Sequence, residues 1–290
     1  MEQISKTFDK IKVENNILYI ISTPIGNLGD ISIRALKILS SLDVILCEDT
    51  RITKKLLRNY GIKPTKLIVY NDHSDQKQRK LLVDQIKNSQ NIFGLVSDAG
   101  TPLISDPGYK LVKECIKNLI KITHVPGASS LTSSIVLSGL PSNNFFFGGF
   151  LEKGVIKKEK QLEEALKFNF TSLWYESPNR LPETLKLIIK LNNNSLISVL
   201  RELTKLNEEV ITGTPSYVYN QINIKKKIKG EIVLVISSKN EVHYTKEMIL
   251  DLIKKDYSKL PTKELAIKIS NKTGLPKKNI YNRIIKYKSL

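Results

Sequence analysis

The residues best suited to chemistry gather in four short polar segments. The longest is Ser97-Asp98-Ala99-Gly100-Thr101-Pro102-Leu103-Ile104-Ser105-Asp106-Pro107-Gly108. Its prolines and glycines bar it from helix and strand, and elaborate loops between regular elements usually carry function. Glycine and small hydroxyl side chains there leave backbone groups open to an adenine edge or a ribose, and Asp98 can accept from a hydroxyl or an amine. Glu48-Asp49-Thr50-Arg51 places two carboxylates and a guanidinium just after an apolar run. That cluster suits ligand recognition or proton acceptance, and equally a helix N-cap with a surface ion pair. Thr23-Pro24-Ile25-Gly26-Asn27-Leu28-Gly29-Asp30 sets one proline and two glycines ahead of a helical pattern. Its backbone either passes close to a ligand at the helix amino end or simply turns. Pro126-Gly127-Ala128-Ser129-Ser130 opens another helix with small residues.

Several chemistries lack support. Neither G-x-G-x-x-G nor G-x-x-x-x-G-K-[ST] occurs in the first loop, and G-x-S-x-G is missing from the chain. His73, His124 and His243 lie far apart, without Cys or carboxylate partners at ligand spacing, so no metal is expected. Cys47 and Cys115 sit inside apolar runs, as small buried hydrophobes do, and indicate no disulfide framework.

The elements that must position these loops alternate. Apolar runs at 17–22, 43–48, 66–70, 92–97 and 121–125 read as strands, and amphipathic patterns between them read as helices. This spacing predicts an α/β unit with a largely parallel sheet covered on both faces. In such a sheet ligands collect beyond the carboxyl ends of the strands, so the loops after 22, 48, 97 and 125 should meet at one crevice. FFFGGFL at 145–151 reads as a boundary, with a first unit over 1–143 and a second over 144–238. In the second, strands at 171–177, 196–202, 208–213 and 230–237 and helices at 179–191 and 215–222 suggest a mixed sheet.

Beyond 238 the pattern is helical, and Leu265, Ile269, Ile280 and Ile284 form an apolar seam around a turn at Thr273-Gly274-Leu275. Lys277, Lys278, Arg283, Lys286 and Lys288 remain free to face outward, as in a helix-turn-helix or in a merely solvated cap. The chain of 290 residues has a formal net charge of +18, and residues 225–290 hold 17 Lys+Arg against 6 Asp+Glu. A polyanion such as nucleic acid fits that bias, although a general richness in lysine would look similar. No apolar stretch approaches the roughly 18 residues of a membrane span, and the amino end has no secretory apolar region, so a cytoplasmic location is expected.

The ordered series TPIGNLGDIS, LCEDTR, VSDAGTPLISDPGY, VPGASS with SGLP, WYESPNR, RELTK and GEIVLVI resembles the bacterial small-subunit rRNA cytidine 2′-O-methyltransferases of the tetrapyrrole methylase superfamily. The resemblance spans about residues 17–237, and the basic tail is similar to that family's C-terminal extension. It implies two α/β domains with S-adenosylmethionine in the cleft between them, a helical extension over 239–290, and a homodimer acting on a 16S rRNA cytidine, number 1402 of that RNA. Carried over by matching segment, cofactor contacts fall to Pro24, Gly26, Asp98, Gly100, Thr101, Ser129, Glu176, Ser177, Pro178, Gly230 and Glu231. The glycine-poorer first loop and the basic tail favour RNA, or the small ribosomal subunit, over a tetrapyrrole.

A methyl group on a sulfonium is already activated, so the protein needs only to align an acceptor oxygen and assist loss of its proton. Asp30, Glu48, Asp49 and Arg51 are the candidates for that assistance. Two alternatives stand beside this reading: a methyltransferase for a tetrapyrrole-like small molecule, and a non-catalytic RNA-binding assembly factor.

Overall fold

The computed structural model describes residues 8–63, 66–71, 75–224, 228–237, 246–256, 260–273 and 276–288. Five short Val, Ile and Leu-rich runs form a parallel sheet from β1 (Ile17–Ile21), β2 (Val44–Cys47), β3 (Lys66–Val69), β4 (Phe93–Leu95) and β5 (Lys121–Val125). Their order is β3-β2-β4-β1-β5, every pair parallel. Parallel neighbours require crossovers, supplied by α1 (Ile33–Ser41), α2 (Thr50–Asn59), α3 (Gln76–Asn88) and α4 (Tyr109–Lys117). Strand residues alternate between the two faces. Leu18, Ile20, Val44 and Leu46 pack with α3 and α4, whereas Ile17, Tyr19, Ile21, Ile45 and Cys47 pack with α1 and α2. Ser32, Asp49 and Asp75 cap the first three of these helices, each accepting a backbone N–H of the opening turn.

The next helix, α5 (Ser130–Ser138), leaves the first sheet and ends at Gly139, whose φ of +67° suits the left-handed exit. It is followed by a second sheet of β6 (Phe145–Phe150), β7 (Thr171–Glu176), β8 (Leu196–Arg201), β9 (Glu209–Gly213) and β10 (Ile232–Ser237). Its order is β6-β7-β10-β8-β9, with β6 and β7 parallel and the other pairs antiparallel, the mixed sheet that the sequence suggests. The stretch read as a boundary opens the second sheet as its edge strand β6, with Leu151 just beyond it. The register shifts between Phe147 and Phe150, where Gly149 has a φ of +71° and Gly148 lies against the Trp174 indole.

Helices α6 (Val155–Lys167), α7 (Leu181–Asn192) and α8 (Pro215–Asn223) complete this half. Their apolar side chains share one core with Trp174, Val199 and Leu234. The opposite face, with Leu173, Leu200, Val233 and Val235, packs against Ile25, Ile135 and Leu140 from the first 143 residues. That shared core fixes the two sheets against each other.

Three further helices, α9 (Lys246–Asp256), α10 (Thr262–Thr273) and α11 (Lys277–Lys288), bury Ile249, Ile253, Leu265, Ala266, Ile269, Ile280 and Ile284 among themselves. The predicted seam is therefore the centre of a small helical core. Lys277, Lys278 and Lys286 are exposed and Arg283 is half-buried, while Gly274, Leu275 and the Lys288 side chain lie outside the described residues.

Candidate active site

The strand ends of the first sheet and the corners of the second enclose a cavity of about 420 Å³. That volume lies within the range of small-molecule sites. From the first half its wall takes Ile25, the stretch Asp98–Thr101, Ile104, Ser105, Asp106, Ser129 and Ser130. From the second it takes Phe150, Tyr175, Glu176, Ser177, Pro178, Leu203, and Gly230 through Val233. Three of the four predicted loops therefore meet here, and all the proposed cofactor contacts except Pro24 and Gly26 lie on the wall.

Pro24 and Gly26 flank the cavity without lining it. The first loop is instead stitched to the long loop, Thr23 N–H donating to Gly100 O at 2.8 Å and Gly100 N–H to Thr23 O at 3.1 Å. Gly26 faces the second half, where a Cβ would run into the Lys205 side chain, and Asn27 N–H donates to Thr204 Oγ1 at 3.2 Å. Gly26 is thus a point of close approach between the halves rather than part of the wall. Thr101 Oγ1 lies 2.9 Å from Ser22 Oγ, which lies 3.2 Å from His124 Nε2, so a polar chain holds Thr101 against the end of β5.

Glu176 lies on the wall, but not through its carboxylate. Its side chain is fully buried and its carboxylate is spent inside the protein. Oε1 accepts from Ser177 N–H and pairs with Arg180, both at 2.7 Å; Oε2 accepts from Thr184 Oγ1 at 2.7 Å and lies 3.3 Å from Lys158 Nζ. Only its backbone is left to face a ligand. Gly230-Glu231 is held comparably: Glu231 N–H donates to Glu202 Oε1 at 3.0 Å, and Lys205 bridges both carboxylates at 2.8 and 3.2 Å. The Lys205 ammonium beside Glu202 lowers the Glu202 pKa.

The four predicted catalytic residues stand outside the wall. Asp30 is exposed in a short 3-10 turn beside Tyr60. Asp49 caps α2, donates its own N–H to Asp98 Oδ1 at 3.1 Å, and receives Arg51 Nη2 at 2.6 Å. Hydrogen bonds from Arg51 hold the Asp49 carboxyl down at about 2, which makes it a weak proton acceptor. Glu48 is exposed, with its pKa raised by partial burial and then by Asp98 and Asp49. Glu48, Asp49 and Arg51 therefore form a rim next to Asp98.

Asp106, in the same loop, was not singled out by the sequence, yet it lies on the wall. Burial, opposed by a Ser97 hydrogen bond and reinforced by Glu48 and Asp98, pushes its carboxyl up to about 6. Tyr175 also lines the cavity, with its hydroxyl 2.7 Å from Ser130 Oγ and its ring against Phe147 and Phe150. Among the described residues, no three His, Cys, Asp or Glu side chains group as metal ligands, and no helix is long and apolar enough to cross a membrane. His73 and His243 lie outside the described residues.

Residues 17–217 match the family model for tetrapyrrole (corrin/porphyrin) methylases. The chain is 47% identical over 228 residues to a ribosomal RNA small subunit methyltransferase I of Rickettsia prowazekii, covering 78% of this chain and 79% of that one. It is 44% identical to the protein of that name from Thermotoga maritima, over 77% of this chain and 98% of the relative. Among solved structures, a cobalt precorrin-4 methyltransferase of cobalamin biosynthesis superposes with a TM-score of 0.56 at 17% identity, over 76% of this chain and 94% of that one. That last likeness concerns the fold alone. By the extent of these matches the chain belongs to the tetrapyrrole methylase family, within its ribosomal RNA small subunit methyltransferase I group.

Proposed function

We propose that this chain transfers a methyl group from S-adenosylmethionine to the ribose 2′-oxygen of a cytidine in 16S rRNA, cytidine 1402 by the family resemblance. The observation that carries the reading is the cavity itself, where three loops of the parallel sheet and two corners of the mixed sheet converge. Its lining suits the donor. Ile25, Leu203 and Val233 offer apolar surface, Gly100 leaves its backbone open, Thr101, Ser129 and Ser130 carry hydroxyls, and Asp98 complements a cation. When bound, S-adenosylmethionine supplies a methyl group already activated on a sulfonium.

The protein's own part is alignment and exclusion of water. Asp98, Gly100, Thr101 and Ser129 would hold the donor from the first half, and Ser177, Pro178, Gly230, Glu231 and the Glu176 backbone from the second. Glu48, Asp49 and Arg51 on the rim, with Asp30 further out, would meet the arriving nucleotide. The division at 143/144 and 238/239 then separates two halves that share the cavity from a basic helical extension that adds phosphate contacts. The exposed side chains Val136, Leu137, Phe145, Phe146 and Phe150, on α5 and the β6 edge, support a homodimer. A substrate in the small ribosomal subunit supports a cytoplasmic location.

The test is to map ribose methylation of 16S rRNA from cells with and without this chain, and to measure donor binding by calorimetry. Loss of one 2′-O-methyl cytidine together with micromolar binding is the expected result. Donor binding with methylation of a porphyrinoid instead of RNA would transfer the function to a small acceptor. Failure to bind the donor would leave an RNA-binding assembly factor.

A further inference from the structure

We propose that the Asp106 carboxylate is the general base that takes the proton from the 2′-hydroxyl of the acceptor ribose. The inference rests on the methyl-transfer reading above and begins with the acids of the cavity wall: Asp98, Asp106, Glu176 and Glu231. Three are already engaged. The Glu176 side chain is sealed from the cavity by Lys158, Arg180 and Thr184. Glu231 is paired with Lys205 and turned largely to solvent. Asp98 accepts the backbone N–H of Asp49, which ties it to the start of α2. Asp106 lies on the same wall beside the Ser97 hydroxyl, and among the described residues no lysine or arginine figures in the groups acting on it.

The backbone around Asp106 gives a second, independent sign. Leu103 and Ser105 both hold left-handed φ values, +74° and +64°, although neither is glycine. Such conformations are unfavourable for residues with a Cβ and persist where surrounding structure demands them, often at functional sites. Here they bring Ile104, Ser105 and Asp106 together onto the cavity wall. Gly108, at a φ of +132°, then starts α4, where a Cβ would crowd Leu95 and Leu103. The loop is thus held in a costly path that places Asp106 on the cavity wall, within electrostatic reach of Glu48.

The chemistry balances without a further reactant. The ribose oxygen bonds to the methyl carbon as the carbon–sulfur bond breaks, and that electron pair stays on sulfur. The oxygen becomes oxonium-like and strongly acidic, its proton passes to an Asp106 oxygen, and the carboxylic acid later returns that proton to water. A base is needed only as the new bond forms, so a carboxylate suffices. The charged and titratable groups facing Asp106 are Glu48 from the end of β2, Asp98 from its own loop and Tyr175 from β7. The two carboxylates raise its proton affinity, adding to burial.

The experiment compares the full chain with Asp106→Asn, which keeps the shape and removes the basicity. We expect kcat for RNA methylation to fall by about 10²–10³-fold, in the range of general-base contributions, with donor affinity by calorimetry changed less than about threefold. Wild-type kcat should rise with pH to a plateau above about 6, where Asp106 is ionised. The variant should lose that limb. In the donor-free chain, carboxyl NMR should find one aspartate titrating near 6 that is missing from the variant, a readout independent of activity. Unchanged kcat in Asp106→Asn, or a fall in donor affinity that matches the fall in rate, overturns the assignment. A wild-type chain that binds the donor but methylates no RNA overturns the functional reading first, and the base assignment with it.

Discussion

Lys158 Nζ lies 3.3 Å from Glu176 Oε2, with side-chain exposures of 1% and 0%. The pair ties α6 to the end of β7, and through Glu176 Oε1 it fixes the Ser177 N–H on the cavity wall. Removing one partner of a buried pair leaves the other charge uncompensated, which typically costs about 3–5 kcal/mol. Arg180 still pairs with Glu176, so Lys158→Met should fall at the lower end, about 3 kcal/mol. Urea unfolding reads that loss. Calorimetry should show donor affinity several-fold weaker, because the Glu176-Ser177-Pro178 turn loosens; unchanged affinity would make the pair purely a support for α6.

Gly148 should be equally intolerant. A Cβ there would penetrate the Trp174 indole, which is itself buried and donates Nε1–H to Ser172 Oγ at 3.0 Å. Gly148→Ala must push β6 from β7 or rotate the indole, at about 1–3 kcal/mol for overpacking. A blue- or red-shifted tryptophan emission with a lowered Tm would register this, and the lone tryptophan makes the signal unambiguous.

These two positions also mark where the sequence is legible. The parallel strands and their helices are, because a strand covered on both faces must be apolar throughout and its crossover must be amphipathic. Ile17–Ile21 and Gln76–Asn88 are examples. The edge strand Phe145–Phe150 is not, because the glycine pair that signals a break serves here as a bulge and a contact for Trp174. Glu176 reads as a ligand because its neutralising Lys158 lies on a helix 18 positions earlier, which no local pattern connects to it. Asp106 is hidden for a related reason: its place on the wall depends on left-handed Leu103 and Ser105, residues whose types do not announce that conformation.

Arg51 offers a test of the rim. It holds the Asp49 carboxylate, and neither side chain lines the cavity. Arg51→Ala should raise the KM for RNA by roughly tenfold, the effect of losing a single charge-assisted contact. Donor affinity should stay within about twofold of wild type. An equal loss of both would show that the Asp49–Asp98 hydrogen bond transmits the rim's geometry to the cavity floor.

Asp106 has a consequence for stability as well as for rate. Its folded pKa, about 6, lies above the ordinary aspartate value of 3.8, so between those values the native state binds more protons than the unfolded chain. Stability therefore falls as pH rises from about 4 to about 6 by this group's contribution, and stays reduced above. Asp106→Asn removes this contribution. Its Tm should exceed that of the wild type at pH 7 and match it near pH 4, the pattern of a site where function is kept at the expense of stability. Differential scanning calorimetry at the two pH values decides the matter, and a variant less stable at pH 7 would mean that the ionised carboxylate supports the fold.

The helical tail allows a sharper separation, because α9, α10 and α11 bury their apolar residues in a core of their own. Truncation after residue 238 should accordingly leave the cavity, donor affinity and Tm of the two-sheet body unchanged. What it removes is positive charge: Lys277, Lys278 and Lys286 are exposed, and each phosphate they neutralise adds about 0.7–0.9 to the slope of log affinity against log salt. With three such contacts the truncated chain should bind 16S rRNA or the small subunit with a slope shallower by about 2–3, and more weakly at 0.1 M salt than at lower salt relative to its own maximum by a smaller factor than the full chain. Filter binding across a salt series measures this, and an unchanged slope would assign α10 and α11 to packing rather than to RNA.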